Sequence, residues 1–264
     1  RTLPAQQRDG LVVATKFGIV REKGRYERRI DNSPAYIRAA CEASLKRLGV
    51  ERIGLYYCHR RDPQVPLEDM VGTLADLVRE GKVAAIGLSE VSAASLRTAH
   101  AVHPIAAVQS EYSLSERGAD AAAPPSTREL GVAFVAYSPL GRSFLTNQPP
   151  AADTLEPGDF RLALPRFQGE AAAANLALQQ GLAAIATELG QPAAAVALAW
   201  LLHRQPHVLP IPGTRRLHHL QQNLAASALV LPAPVVQALD TLFAPGRAQG
   251  ERYPDAGWAG VETR

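Results

Sequence analysis

The sequence predicts an α/β fold, a (β/α)8 barrel of the TIM type. Three observations predict it. Short apolar runs alternate with helical segments along the chain, which is the pattern of parallel strands joined by helical crossovers. No Gly-x-Gly-x-x-Gly turn follows any of these runs, although an open doubly wound sheet usually shows one after its first strand. Polar residues end nearly every run: Lys16, His59, Ser89 with Glu90, Gln109, Ser138, and Thr214 with Arg215. A barrel gathers such ends at one mouth, where active sites lie.

The elements follow in order. "LVVAT" (11–15) is a continuous apolar run, as expected of a strand covered on both faces, and it stops at Lys16. "SPAYIRAACEASLKRLGV" (33–50) reads as a helix with Ser33 as N-cap, Pro34 in its first turn and Gly49 as its stop. Its residues Ile37, Ala40, Cys41, Ser44, Leu45 and Leu48 share one face. "IGLYY" (53–57) leads to His59, and a helix begins after Pro66 and ends at Gly81. "AAIGL" (84–88) precedes a helix capped by Ser92. "AAVQS" (106–110), a short helix closed by "TRELG", and "VAFVAY" (132–137) come next. Helices over 171–190 and 192–205 precede the last run, "HVLPIP" (207–212), and two closing helices span 216–228 and 234–242.

Segment 142–170 is long, Pro-rich and without periodicity. It reads either as a lid over the barrel mouth or as a surface insertion. Six strands are counted where the barrel has eight. Since a βαβ unit takes roughly 30 residues, the first two βα units are expected to be absent from the front. The whole of 1–264 is read as a single, N-terminally incomplete domain.

Composition narrows the function classes. The chain has 264 residues, 47% hydrophobic and 20% charged, which suits a folded core rather than a disordered chain. A net charge of +3, with arginines scattered rather than striped, gives no indication of nucleic-acid binding. The two cysteines, Cys41 and Cys58, form no CxxC or metal-ligand spacing, so a reduced, cytoplasmic protein is expected. No apolar run is long enough for a membrane helix, and "RTLPAQQRDG" lacks the apolar stretch of a signal peptide. The chain has no initiator Met and is expected to begin partway through a longer one.

Each polar strand end has two readings. Lys16 is either the solvated edge of a sheet or a fixed charge that lowers a neighbour's pKa. His59 is either a satisfied neutral imidazole or a catalyst. Ser89 and Gln109, which both donate and accept, either cap helices or bind an amide-bearing ligand, and Glu90 ends the same run as Ser89. Tyr137 either packs at a rim or stacks on a flat ring. Gly213 permits an unusual turn or a close backbone approach, and Thr214, Arg215 and Arg216 bring a hydroxyl, backbone N–H groups and two guanidiniums to a helix start. Cations there oppose the helix dipole unless an anion such as a phosphate is present, which favours an anion site.

Taken together, "ATKFG", "SLKRLGVERIGLYYCHR", "VREGKVAAIGLSE", "VQSEYSL", "VAYSPLGRSFLT" and "VLPIPGTRRLHHLQQNL" resemble the aldo-keto reductases. The likeness is to the bacterial branch related to voltage-gated potassium channel β-subunits. It runs in order from about residue 8 to about residue 245. The resemblance implies a (β/α)8 barrel that reduces aldehydes or ketones with NADPH, the substrate being a small carbonyl compound. It leaves oligomeric state open. Lys16 and His59 match two members of the family's Asp, Tyr, Lys and His tetrad. Ser89, Glu90 and Gln109 match positions around the nicotinamide carboxamide, and Tyr137 matches the residue that stacks on its ring. Ser138, Pro139, Leu140, Gly141 and Arg142 match the loop along the pyrophosphate. Gly213, Thr214 and Arg215 match the grip on the adenosine 2′-phosphate, which favours NADP(H). His219, Gln222 and Asn223 match later adenosine contacts, although relatives often carry Arg and Glu at the first two.

The implied chemistry is consistent with these residue types. A carbonyl oxygen gaining negative charge needs a proton donor. A tyrosine, with a pKa of about 10, is too weak an acid until a neighbouring charge such as Lys16 lowers it. The family places its Asp and Tyr upstream of the lysine. Residues 1–15 hold no Tyr and one Asp, Asp9, in a different context. Tyr26, Tyr56, Tyr57 and Tyr112 do not match that position, and Gly54 stands where relatives have Asp. The alternative is therefore a catalytically inactive NADP(H)-binding protein.

Overall fold

A six-stranded parallel sheet and eight α-helices make up about half of the described residues. The computed structural model describes residues 10–20, 29–120, 123–150, 152–204 and 207–263. Asp9 and Tyr26, weighed above, lie outside them. Two compact units are distinguished.

The first unit holds Arg1–Gln109, Glu129–Val132 and Gly260–Thr263. Its strands are β1 (Ala14–Phe17), β2 (Ile19–Val20), β3 (Arg29–Ile30), β4 (Leu55–Cys58), β5 (Ile86–Ser89) and the start of β6 (Ile105–Glu111). Its helices are α1 (Pro34–Leu48), α2 (Leu67–Arg79) and α3 (Ala93–Val102). Strands β1, β4, β5 and β6 are hydrogen-bonded in that order and run parallel.

The expected caps are present. The Ser33 hydroxyl accepts from the Tyr36 amide, and Gly49 closes α1 at φ 66°, a left-handed conformation that favours glycine. In α2, the stripe of Leu67, Met70, Val71, Leu74 and Leu77 is buried. With Ile37 and Leu96 these side chains cover one face of the sheet, formed by Phe17, Tyr56, Cys58, Ile86, Leu88 and Val108.

Two features differ from expectation. Strand β1 is not covered on both faces: Val12, just before it, is 73% exposed and Ala14 is also exposed. The physical reason is position, since among the described residues β1 ends the strand order and pairs with β4 alone. Strands β2 and β3 form an antiparallel pair outside the apolar runs of the sequence. At two residues each they are too short for a hydrophobic period to register.

The second unit holds Ser110–Arg128 and Ala133–Ala259. It contains the end of β6, most of α4 (Ala123–Glu129), β7 (Ala133–Tyr137), α5 (Gly169–Glu188), α6 (Ala193–Arg204), β8 (Val208–Pro210), α7 (Leu217–Ala225) and α8 (Ala233–Leu242). The Tyr112 amide donates to the Tyr137 carbonyl beside β7, and β7 pairs in parallel with β8. The core forms around α6, whose residues Ala193 to Leu201 are all buried. Alanines let this helix approach its neighbours closely. Trp200 fills the centre, and its indole N–H donates to Asp240 at 3.2 Å.

Segment 142–170 is neither bare loop nor loose insertion. Its described residues contain short 3₁₀ turns, including Phe160–Ala163 and Pro165–Phe167. Leu164 and Phe167 are buried with Tyr253, against Phe144 and Trp258. Buried Asn175 ties it down by donating to the carbonyls of Arg166 (3.1 Å) and Gln249 (2.9 Å). Among the described residues, no single helix is long and apolar enough to cross a membrane.

Candidate functional site

In the first unit, register decides which side chains meet. Lys16 pairs with Tyr57, Tyr57 with Gly87, Gly87 with Ala107, and Ser89 with Gln109. Directly paired residues share a face, and so do residues two apart. Lys16, Tyr57, His59, Gly87, Ser89 and Gln109 therefore line one face, opposite the helix-packed core, at the C-terminal ends of adjacent strands.

Local contacts sharpen this arrangement. The His59 amide donates to the Phe17 carbonyl at 2.9 Å, which holds His59 beside the end of β1. The Lys16 ammonium lies 5.6 Å from the centre of the Tyr57 ring. Lys16 keeps much solvent contact, but partial burial and then the nearby Arg60 charge push its pKa below the ordinary lysine value. Burial pushes the Tyr57 hydroxyl up to about 12, against a hydrogen bond with Gln109 that pulls it down. The Ser89 hydroxyl accepts from Arg60 Nη1 at 3.5 Å, while the cap of α3 is Ser92. Ser89 is thus not spent on capping.

Glu90 is fully buried with φ 57°, a left-handed backbone that a non-glycine residue holds only when its surroundings enforce it. They do so here. Its amide donates to the Gln109 carbonyl (3.0 Å), its carbonyl accepts from the Glu262 amide (2.8 Å), and its carboxylate accepts from the Thr263 hydroxyl. The Glu262 carboxylate in turn accepts from Arg61 and from the Ser92 amide, both at 2.9 Å.

In the second unit, Tyr137 ends β7, and its hydroxyl lies 2.8 Å from that of Tyr253. The loop after it is left-handed at Ser138 (φ 48°), Gly141 (φ 56°), Arg142 (φ 58°) and Ser143 (φ 78°), while Pro139 lies buried within it. Arg142, expected along a pyrophosphate, instead donates to both carboxylate oxygens of buried Glu111, at 2.7 and 2.8 Å. Burial pushes the Glu111 carboxyl up, and the Arg142 and Arg252 guanidiniums oppose that rise.

The remaining candidates converge. A cavity of about 730 Å³ is lined by Leu140, Gly213, Thr214, Arg215, His219, Gln222 and Asn223, all singled out from the sequence. Arg216, His218 and the polar side chains of Ser143, Thr146, Asn147 and Gln148 join them. Among the described residues, no Asp or Glu is in the lining. The Thr214 hydroxyl accepts from the Arg216 amide at 3.2 Å, shaping the turn before α7. Gly213 departs from expectation: its φ is not left-handed, so the turn itself does not demand glycine. A Cβ there would meet nothing within 4 Å, so it would project into open space. This donor set suits a phosphate: cationic groups, hydroxyls and amides, with no carboxylate to repel it. Among the described residues, no cluster of His, Cys, Asp and Glu could hold a metal ion.

Tyr57, Arg60, Glu111, Tyr253 and Glu262 were missed from the sequence. Tyr57 and Arg60 stand inside "SLKRLGVERIGLYYCHR" and Glu111 inside "VQSEYSL", but no local pattern marks them as site residues. Tyr253 and Glu262 lie in a C-terminal stretch without periodicity, where nothing local signals a contact.

The Aldo/keto reductase family profile matches residues 2–244. The glycerol dehydrogenase of Gluconobacter oxydans is similar in structure, with a TM-score of 0.81 and 28% identity over 92% of this chain and 74% of that one. A thermostable aldo-keto reductase, solved in complex with the inhibitor epalrestat, has a TM-score of 0.64 and 28% identity over 80% of this chain and 67% of that one.

Proposed function

The chain belongs to the Aldo/keto reductase family, and from that premise we propose that it reduces a small aldehyde or ketone to an alcohol with NADPH. Membership makes it an oxidoreductase, and its six parallel strands with flanking helices match the (β/α)8 fold of its structural neighbours. Preference for NADPH is carried by the cavity in which Gly213, Thr214 and Arg215 stand among further cationic and polar groups without a carboxylate. A ribose lacking the phosphate is usually held by an acidic side chain.

NADPH, when bound, supplies the hydride. Arg215, Thr214 and the backbone at Gly213 hold the 2′-phosphate, and His219, Gln222 and Asn223 flank the adenosine. Leu140 with Ser138, Pro139 and Gly141 borders the pyrophosphate. Ser89 and Gln109 would present donors and acceptors to the carboxamide, with buried Glu90 fixing the strand end between them, and Tyr137 would offer its ring face to the nicotinamide. His59 hydrogen-bonds the carbonyl oxygen and orients it. Lys16 would lower the pKa of a tyrosine proton donor, which the family places upstream of the lysine and which no tyrosine of this sequence matches. Two buried free thiols, Cys41 and Cys58, suit a reducing cytoplasm.

A second reading, an NADP(H)-binding protein without turnover, has one observation in its favour. The tyrosine beside Lys16, Tyr57, is pushed up to about 12 and is bonded to Gln109, so it is not poised as an acid. Titrating NADPH and NADH by fluorescence and then adding an aldehyde tests both readings. Tighter binding of NADPH followed by its oxidation is expected. Binding without oxidation selects the second reading, and equal affinity for the two nucleotides removes the phosphate assignment.

A further inference from the structure

The Tyr137 hydroxyl meets a connected group of buried side chains. Tyr253, 6% exposed, contacts Tyr137 through its hydroxyl at 2.8 Å. The same Tyr253 oxygen accepts from Arg142 Nη2 at 3.2 Å and lies 3.4 Å from the Glu111 carboxylate. Arg142 is fixed by its two bonds to Glu111, and its guanidinium lies 5.2 Å from the Tyr253 ring centre. Arg252 and the edge-on ring of Trp258 pack around the same ring. Three residues in this loop, Ser138, Arg142 and Ser143, hold left-handed backbone without being glycine. Such strain persists only where the surroundings over-determine it, and the bidentate Arg142–Glu111 pair is the strongest such restraint here.

We propose that Tyr253, held by Arg142 and Glu111, is a positioning residue that fixes the Tyr137 ring for stacking on the nicotinamide of a dinucleotide. The proposal rests on the reading above that Tyr137 stacks there. A hydrogen bond at the para hydroxyl pins the far end of the ring. Because a phenol O–H prefers the ring plane, the bond also resists rotation about the ring axis. Pre-setting the ring removes an ordering cost from binding. Arg142 accordingly acts through Glu111 and Tyr253, and not as an anion ligand.

The test is a double-mutant cycle of Tyr253→Phe and Tyr137→Phe in the full chain. Fluorescence titration reads NADPH affinity, and adenosine 2′,5′-bisphosphate, which lacks the nicotinamide, serves as the control ligand. Each single variant is expected to weaken NADPH binding about fivefold, the scale of one neutral hydrogen bond. The double variant should be no weaker than either single one, and the bisphosphate should bind all three like the wild type. Should Tyr253→Phe fail to fold, Tyr137→Phe removes the other hydroxyl of the same bond and gives the same comparison of the two ligands. Unchanged NADPH affinity, additive losses, or an equal loss for both ligands would overturn the proposal. Tyr137→Ala separates the two levels: if it leaves NADPH affinity intact, the stacking reading itself fails; if it weakens NADPH while Tyr253→Phe does not, only the positioning role fails.

Discussion

The Lys16 ammonium lies 5.6 Å from the centre of the Tyr57 ring, in a residue pair aligned by the β1–β4 register. On the proposed reading the two groups have separate parts in the chemistry. Burial raises the Tyr57 hydroxyl to about 12, and Gln109 engages it. Lys16→Met keeps a long unbranched side chain and removes the charge. It is expected to lower kcat/KM for an aldehyde by roughly 10²–10⁴-fold, the usual worth of assisted proton transfer, with NADPH affinity unchanged. Tyr57→Phe should keep at least about a tenth of the activity, because it loses one neutral hydrogen bond. Steady-state kinetics on both variants decides the matter. If Tyr57→Phe falls as far as Lys16→Met, Tyr57 is the acid and the assignment is wrong.

Gly87 allows the Tyr57 ring its place. A Cβ on Gly87 would stand 2.4 Å from Tyr57 Cδ1 and Cε1, far inside contact distance. Strand β5 must therefore lack a side chain where the ring crosses it. Gly87→Ala is expected to cost about 1–3 kcal/mol of stability as an overpacking substitution, read from the urea unfolding midpoint. A midpoint within error of the wild type would mean that the ring moves aside at little cost.

How far the sequence revealed this arrangement depended on whether the signal was periodic. Continuous runs such as "AAIGL" and the capped stripe of α1 were legible, because burial and capping impose local patterns. Lys16, His59, Ser89 and Gln109 were legible as strand ends, and the register does align them on one face. The exposure of Val12 was not legible, because an apolar run does not say whether its strand has one neighbour or two. Nor was the commitment of Arg142 to Glu111, two groups 31 residues apart whose meeting depends on tertiary packing. Gly213 reads as an unusual turn or a close backbone approach; its φ is not left-handed, and a Cβ there would meet nothing within 4 Å.

Glu262 should make stability depend on pH. Burial alone would raise its carboxyl pKa, but the Ser92 amide, Ser95, Arg61 and the Ser92 hydroxyl more than offset this, and the net shift is downward from 4.5. A carboxylate with a depressed folded-state pKa adds stability that is present above its unfolded value. That stability is lost as pH falls through the lowered folded value. Glu262→Gln is expected to destabilise by about 1–3 kcal/mol near neutral pH, the scale of hydrogen bonds to a charged group. The gap to wild type should narrow below about pH 4.5. Chemical denaturation at pH 7 and at pH 3.5 measures it, and a gap that stays constant would rule out the charged clasp.

Cys41 and Cys58 are both buried and free, and burial pushes their thiols up to about 11 and about 12. The thiolate is the reactive form, so both should resist labelling by a disulfide reagent at pH 8 in the native protein and react together once it unfolds. Fast labelling of either thiol in the native state would reveal local opening of α1 or β4.

The final prediction concerns nucleotide choice. Arg215 is exposed and lines the 730 Å³ cavity beside Gly213 and Thr214, with no acidic side chain in the lining. A guanidinium meeting a phosphate forms charge-assisted bonds worth about 1.5–3 kcal/mol. Arg215→Leu should therefore weaken NADPH roughly tenfold to a hundredfold and leave NADH nearly unchanged, because NADH brings no 2′-phosphate to the cavity. Stability should stay within about 0.5 kcal/mol, as for most surface substitutions. The ratio of the two dissociation constants is the decisive quantity, since a general loosening of the cavity lowers both affinities and leaves the ratio fixed. Raising the salt concentration supplies an independent check, because screening should erode the wild-type preference for NADPH more than that of the leucine variant. A variant that loses NADPH and NADH equally would place the phosphate elsewhere and leave Arg215 a surface cation.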